Sequence, residues 1–369
     1  MDTRMPAEVF PPGEYLADEL EARAWSQADF AEIIGRPVQF VSEIIHGKKE
    51  ITAESSTQIE AALGTSAETW LSLQARFRLW QLAQDADHAS DNSRVTARAQ
   101  VASIIPLATL ERRGVIGRTE DPDELLAEVM SDFNMTDLDD EPQFRMAAKR
   151  SNHHDELSLT QRGWVWAAQR EARKRRLADY DEDGLRQLAK GLAREMSQPD
   201  DLRDLPERFA ALGVHLLFVE HMPGGKIDGA AFMVDEHPVI AVSGRGKRFD
   251  KLFFALMHEV AHVLSGHAHK GIALDDMADQ RDDGTLDPWE TEANKLAEEL
   301  ALEGRVRILG PISGHAVSAK ATELGVPVSF VVGNLQHHHD LDWRTALARG
   351  LPNADDVLRS WAGDGEKEH

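Results

Sequence analysis

From Glu14 to about Gln84, apolar side chains recur at helical spacing (Leu16, Leu20, Phe30, Ile33, Ile34, Val41, Ile44, Ile45), and glycines 35, 47 and 64 act as stops. This pattern predicts a compact helical unit over residues 1–84. Residues 85–98, DADHASDNSRVTAR, offer few large apolar groups and are expected to form a linker. Between 99 and 212, DELLAEVMSDF, QRGWVWAAQREARKRRLA and GLRQLAKGLAREM return to three- and four-residue spacing, so the middle region is expected to be helical. The pattern changes at Gly213. VHLLFVE, GAAFMVD and PVIAV are short apolar runs separated by PGGK and DEH, as strands joined by tight turns would be. Helical spacing resumes over Phe249–Leu264 and again from about Pro288 to Leu302, after the acidic loop 275–287. The expected fold class is α+β and mostly α: an N-terminal helix-turn-helix bundle, a helical middle, and a C-terminal unit over 213–369 with a short sheet. No fixed-period repeat is present, and the tail GDGEKEH reads as a frayed terminus.

Within the first unit, WSQADFAEIIGRPVQFVSEIIHGKKEIT holds two short helical patterns about Gly35 and Arg36, the length and turn placement of a helix-turn-helix. The second helix is expected to begin near Pro37. Its outward positions Gln39, Ser42 and Glu43 could reach base edges, while Gln27, Arg36, Lys48 and Lys49 could contact phosphates.

Charge limits how such contacts work. The 369 residues carry 41 Lys+Arg against 64 Asp+Glu, a formal net charge of −23. Residues 1–80 hold seven basic and thirteen acidic side chains, a local charge of −6. Nonspecific coating of nucleic acid or anionic membrane is excluded, so any DNA contact must be local and specific; a homodimer reading two half-sites could provide it. A helical module that docks protein is the plainer alternative. The chain has no cysteine, which removes disulfides, thiolate catalysis and Cys-ligated metal, and fits a reducing compartment. Without a basic-then-apolar leader or an apolar run of ~18 residues, a cytoplasmic location with no membrane partner is expected.

The most informative stretch is LFFALMHEVAHVLSGH. His258 and His262 lie four residues apart, and a helix brings such a pair onto one face with Cβ atoms ~6 Å apart, so two imidazoles can hold one ion. Glu259 lies ~100° around the helix from His258 and could reach a water on the metal's open side as a general base. A zinc site of this kind needs a third protein ligand, and the next helix offers Glu290 and Glu292.

These residues carry a resemblance. The run from Gly213 to Leu302, with GAAFMV, PVIAVSGR, FDKLFFALMHEVAHVLSGH and ETEANKLAEEL, resembles the ImmA/IrrE-type metallopeptidase domain over about 90 residues. The resemblance implies a small zincin-like fold with Zn2+ held by His258, His262 and Glu292, the last preceding Ala293 and Asn294, and Glu259 as the catalytic glutamate. Leu296 stands where the family has phenylalanine, and Glu290 remains the alternative third ligand. SQADFAEIIG and SEIIHGKKEIT resemble the Xre/HigA helix-turn-helix regulators over about 70 residues, and WVWAAQREARKRR resembles the long HigA-type antitoxins that carry an ImmA/IrrE domain. Together they imply a regulator that binds operator DNA and a zinc endopeptidase that cleaves a partner such as a repressor or toxin. The alternative is a noncatalytic antitoxin or repressor whose zincin-like domain binds a toxin or senses a ligand.

Other features have plainer readings. The basic run Arg170, Arg173, Lys174, Arg175, Arg176 is expected to be a solvated helix face, and His337, His338 and His339 a surface turn, since successive helical residues cannot all face one ion. His267 and His269 are expected to be exposed at a helix end, Trp164 and Trp166 to pack in the middle helices, and the loop 275–287 to be a solvated connection rather than a gate over the cleft.

Overall fold

The computed structural model describes residues 9–143, 157–275 and 288–361 and divides the chain into two units, 1–96 and 97–369. The first unit holds α1 (Pro12–Ala22), α2 (Gln27–Ile33), α3 (Val38–Ile45), α4 (Ala53–Leu63) and α5 (Ala67–Gln84). Leu16, Leu20, Phe30, Val41, Ile44, Ile59 and Trp70 form its core. The turn between α2 and α3 passes through Gly35 at φ +67°, a left-handed conformation that glycine adopts without a Cβ penalty. Ser26 and Asp29 close a capping box on α2, and Thr52 and Ser55 one on α4.

Residues 85–98 are not an irregular linker. Most of them lie in α6 (Ala86–Ile104), whose first two turns are largely exposed and whose end buries Ala97, Val101 and Ile104. Alanines and short polar groups with no proline or glycine are compatible with a solvated helix, and so a polar stretch was not a break in secondary structure.

In the second unit, α7 (Leu107–Arg112), α8 (Pro122–Asp132), α9 (Leu159–Ala172), α10 (Glu182–Glu195) and α11 (Leu205–Ala210) precede a four-stranded sheet. Its strands are β1 (His215–Phe218), β2 (Gly229–Val234), β3 (His237–Val242) and β4 (Ala273–Asp275), in the order β1-β3-β2-β4. β1 runs parallel to β3, and the β2–β3 hairpin and the β2–β4 pair are antiparallel. Then come α12 (Phe249–Leu264), lying between β3 and β4 in sequence, and α13 (Pro288–Leu302), α14 (Gly314–Leu324), α15 (Val328–His337) and α16 (Asp355–Trp361).

Alternate residues of the sheet serve two cores. Ala231, Met233, Ile240 and Val242 pack with α12 and its neighbours, whereas Ala230, Phe232, Val239 and Ala241 pack with Trp164, Trp166, Val129 and Leu110 of the middle helices. A sheet buried on both faces explains the continuous apolar runs. The expected boundary at residue 212/213 is therefore absent: the helices assigned to a separate middle region cover one face of the sheet.

The basic run is not merely solvated. Arg173 makes two 2.8 Å bonds to Asp132, which also accepts from Trp166 Nε1 at 3.0 Å; Arg170 bonds Glu120 at 2.6 Å and Arg175 bonds Glu207 at 3.0 and 2.7 Å. Trp164 and Trp166 are core residues, as expected. No helix among the described residues is long and apolar enough to cross a membrane.

His215 is buried beside His237, with ring centroids 6.0 Å apart. Burial, then repulsion from His237 and Arg175, lowers its pKa to about 4. The unfolded chain protonates this imidazole below about pH 6.5 while the folded strand does not, so acidification favours unfolding. Urea unfolding of the protein between pH 6.5 and 4 is expected to lose up to about 3 kcal/mol from this group, and His215→Gln should remove that part of the slope.

Candidate metal centre and helix-turn-helix surface

Fourteen of the sixteen residues of α12 are buried. Arg248, the N-cap residue, ties the start of the helix to its neighbours through side-chain bonds to Asp250 at 3.0 and 2.5 Å and to Gln336 of α15 at 3.0 Å. Phe253 stacks on Phe330 of α15, with centroids 4.1 Å apart and planes at 13°, which fixes the rotation of α12. With that rotation set, His258 and His262 project on the side where α13 packs. Their Nε2 atoms are 2.9 Å apart. Glu290, in the first turn of α13, places Oε2 3.0 Å from His258 Nε2 and Oε1 3.4 Å from His262 Nε2. The three donor atoms all lie within 4.8 Å of one another, and both histidines are buried.

The third acid is therefore Glu290 rather than Glu292. Glu290 lies on the stripe of Ala293, Ala297 and Ala301 that α13 buries, at i+3, i+7 and i+11, while Glu292 is ~200° away around the helix and its side chain is 62% exposed. That small-residue stripe is visible in the sequence and gives the helix phase that the local ETEAN pattern does not.

Glu292 instead meets His267, with Oε2 3.4 Å from Nε2. His267 is not an exposed helix-end residue: it is 1% exposed. After α12 the backbone turns through Gly266 at φ +70°, and the N–H of His267 donates to the carbonyl of His262 at 2.9 Å. This brings the two Nδ1 atoms to 3.0 Å, and His267 stacks on Trp289 at 4.8 Å and 6°. His262 thus has one ring nitrogen toward the cluster and the other fixed by a partner that is itself packed, the arrangement that orients metal-binding imidazoles.

The protonation states suit a cation. Burial, together with repulsion by His258 and His267, outweighs the pull of Glu290 and lowers His262 to about pH 4 for its titration, leaving a neutral lone pair at neutral pH. Burial opposes charge on Glu290, but hydrogen bonds from His258 and His262 overcome it and keep its carboxyl well below the usual carboxylate range. A neutral His262 nitrogen, the neighbouring His258 Nε2 and one anionic oxygen make a donor set that could hold a divalent ion with a coordination position left open. Glu259 is completely buried, against the first residue of β2: a Cβ built on Gly229 would lie 2.4 Å from Glu259 Oε1. Gly229 was not singled out from the sequence, where it looked like an ordinary strand start.

In the first unit, α3 begins after its N-cap Pro37. Gln39 is exposed and donates to Glu43 at 2.8 Å, and Ser42 is half-buried with Oγ 3.3 Å from His46 Nδ1. Lys48 and Lys49 are exposed at the end of α3; Lys49 lies 3.4 Å from Glu43 Oε2 and 4.8 Å above the Phe40 ring. Gln27 opens α2, half-buried. Arg36 departs from the expected phosphate contact. It donates to Gln58 at 2.9 Å and Glu54 at 2.6 Å, tying the inter-helix turn to α4. The loop 275–287, apart from Asp275, lies outside the described residues, as do the tail and residues 1–8.

Residues 16–70 match the Helix-turn-helix family. An 83-residue stretch is 35% identical to an uncharacterized HTH-type transcriptional regulator of Haemophilus influenzae, covering 22% of this chain and 75% of that protein. Among solved structures, one from Nostoc punctiforme that carries the name of an antidote protein of a plasmid maintenance system is 33% identical, covering 24% of this chain and 97% of that one, with a TM-score of 0.22. A hypothetical protein from E. coli is 24% identical over 24% of this chain and 90% of its own, with a TM-score of 0.23.

Because Glu259 leaves no room for a methyl group at β2, Gly229→Ala is expected to cost about 1 to 3 kcal/mol. A thermal melt of the variant, compared with the parent, measures it.

Proposed function

We propose, from the premise that this chain belongs through its N-terminal unit to the helix-turn-helix family, that it is a DNA-binding transcriptional regulator of antitoxin type whose second unit is a zinc-dependent endopeptidase of the ImmA/IrrE kind. The observation that carries the enzymatic part is the convergence of His258, His262 and Glu290 on one point, with Glu259 on the same helix.

Zinc bound there would supply a Lewis acid for a peptide carbonyl and a water acidified toward neutral pH. The protein's residues do the rest. Glu259 would serve as the general base, its carboxylate taking a proton from the attacking water and returning it to the leaving amine. His267 holds the imidazole of His262 in one orientation, and Glu292 holds His267. No side chain needs to form a covalent bond to substrate. A partner repressor or toxin is the substrate class this reading implies.

One observation favours the alternative, a noncatalytic zincin-like unit that binds a toxin or senses a ligand: Glu259 has no exposed surface, whereas a general base needs access to its water. The Glu259→Gln variant separates the two. On the catalytic reading it retains metal and loses cleavage, scored by labelling new protein N-termini in cells expressing either chain; equal cleavage by the variant removes the peptidase.

Elemental analysis of purified chain is expected to give one zinc per chain, lost in His262→Ala and Glu290→Ala and retained in Glu292→Ala.

On the regulatory side, exposed Gln39 supports base contact, and Lys48 and Lys49 support phosphate contact. A gel shift on the DNA upstream of its own coding sequence should weaken steeply with salt. Gln39→Ala is expected to cost about 1 to 3 kcal/mol on that site only, and Lys48→Ala to weaken all sequences alike; absence of any shift at low salt overturns the DNA-binding reading.

A further inference from the structure

Beside the candidate metal centre the second unit opens a cavity of about 580 Å³, bordered by Asp228, Arg245, Lys247, Lys251, His337 and Trp343. That volume falls within the range of small-ligand and side-chain pockets. A narrower hollow shares Lys251, His337 and Trp343 with it and extends inward past Phe254 to His258. The two make one cleft, running along α12 from a cationic mouth to the histidine cluster, with Asp228 adjacent to the glycine that touches Glu259.

On a chain of net charge −23, such a mouth stands out, and its ion pairs identify the cation that remains for a ligand. Arg245 lies 3.4 Å from Asp228, and Lys247 lies 2.9 Å from Asp355. The acids of the inner hollow are also engaged. Asp250 is held by Arg248, and Glu298 accepts from Asn334 at 3.1 Å and pairs with His338. Lys251 differs. Its ammonium sits 5.0 Å over the ring of half-exposed Trp343 and makes no ion pair among the described residues. A cation resting on an aromatic face keeps donors available while its position is fixed, which lowers the ordering cost of meeting an anion.

We infer that this cleft is a substrate pocket for an acidic residue of the peptide, whose carboxylate is bound by Lys251 while the chain passes over Phe254 toward His258. The inference rests on the peptidase reading for its substrate class, and a binding measurement tests it without turnover. End-capped hexapeptides, alike except for one central Glu, Gln or Lys, are titrated calorimetrically into the full-length Glu259→Gln chain. The Glu peptide is expected to bind about tenfold tighter than the Gln peptide, as for one charge-assisted hydrogen bond, and the Lys peptide weaker than both. Lys251→Met, in the same background, should abolish the Glu preference and Lys251→Arg should restore it. Equal binding of the Glu and Gln peptides, binding of none of them, or a preference that survives Lys251→Met overturns the assignment. A metal-free, inactive chain that still shows the Lys251-dependent preference would sink the peptidase reading and keep the pocket. A zinc-loaded, cleaving chain indifferent to the central residue would do the reverse.

Discussion

The second unit depends on the burial of α12. A helix with fourteen of sixteen residues inside keeps two imidazoles and two carboxylates there, which favours a defined partner for each polar group, because an unsatisfied buried polar group costs about 1 to 3 kcal/mol. The fold meets this by packing acids and histidines against the helix from separate elements. Glu290 comes from α13 and His267 from the turn after α12, while Gly229 of β2, having no Cβ, leaves the space that the Glu259 side chain fills. Phe330 and Gln336 of α15 fix the rotation and start of the helix, so the same contacts that stabilise the core also aim the site.

This arrangement couples the two faces of the sheet. Gly229 contacts Glu259 on one side, while the next residue of β2, Ala230, packs into the core made with the middle helices. Trp164 donates to the carbonyl of Val219, just past the end of β1, at 2.8 Å, and Asp132 is shared by Trp166 and Arg173. The acidic composition is thus partly structural: carboxylates at the inner ends of arginine side chains anchor the helices that cover the sheet, and the uncompensated remainder is left to the surface.

Much of the fold was readable from the chain because period-two and helical patterns report burial directly. The three longer strands, α12 and the turn at Gly35 appear where the patterning places them. Residues 85–98 form helix rather than linker because α6 begins with small polar residues, whose helix propensity is adequate while their burial signal is nil. No boundary falls at 212/213, because a change from helical to strand spacing marks a change of element, whereas a domain boundary is a scarcity of contacts; here the helices pack directly on the strands that follow. β4 is three residues long and carries too short a pattern to register.

The sequence by itself determined that His258 and His262 share a helix face, that a carboxylate helix follows them, and that a helix-turn-helix opens the chain, since each is a matter of local spacing. Tertiary packing decided which carboxylate converges, because α13 presents whichever residue lies in line with the alanines it buries, and that is Glu290. It also decided that Arg36 spends its guanidinium on Glu54 and Gln58, and that His267 returns to brace His262. Spacing along a chain fixes directions within one element; the meeting of side chains from different elements depends on how each helix is rotated in the core, which no local pattern contains.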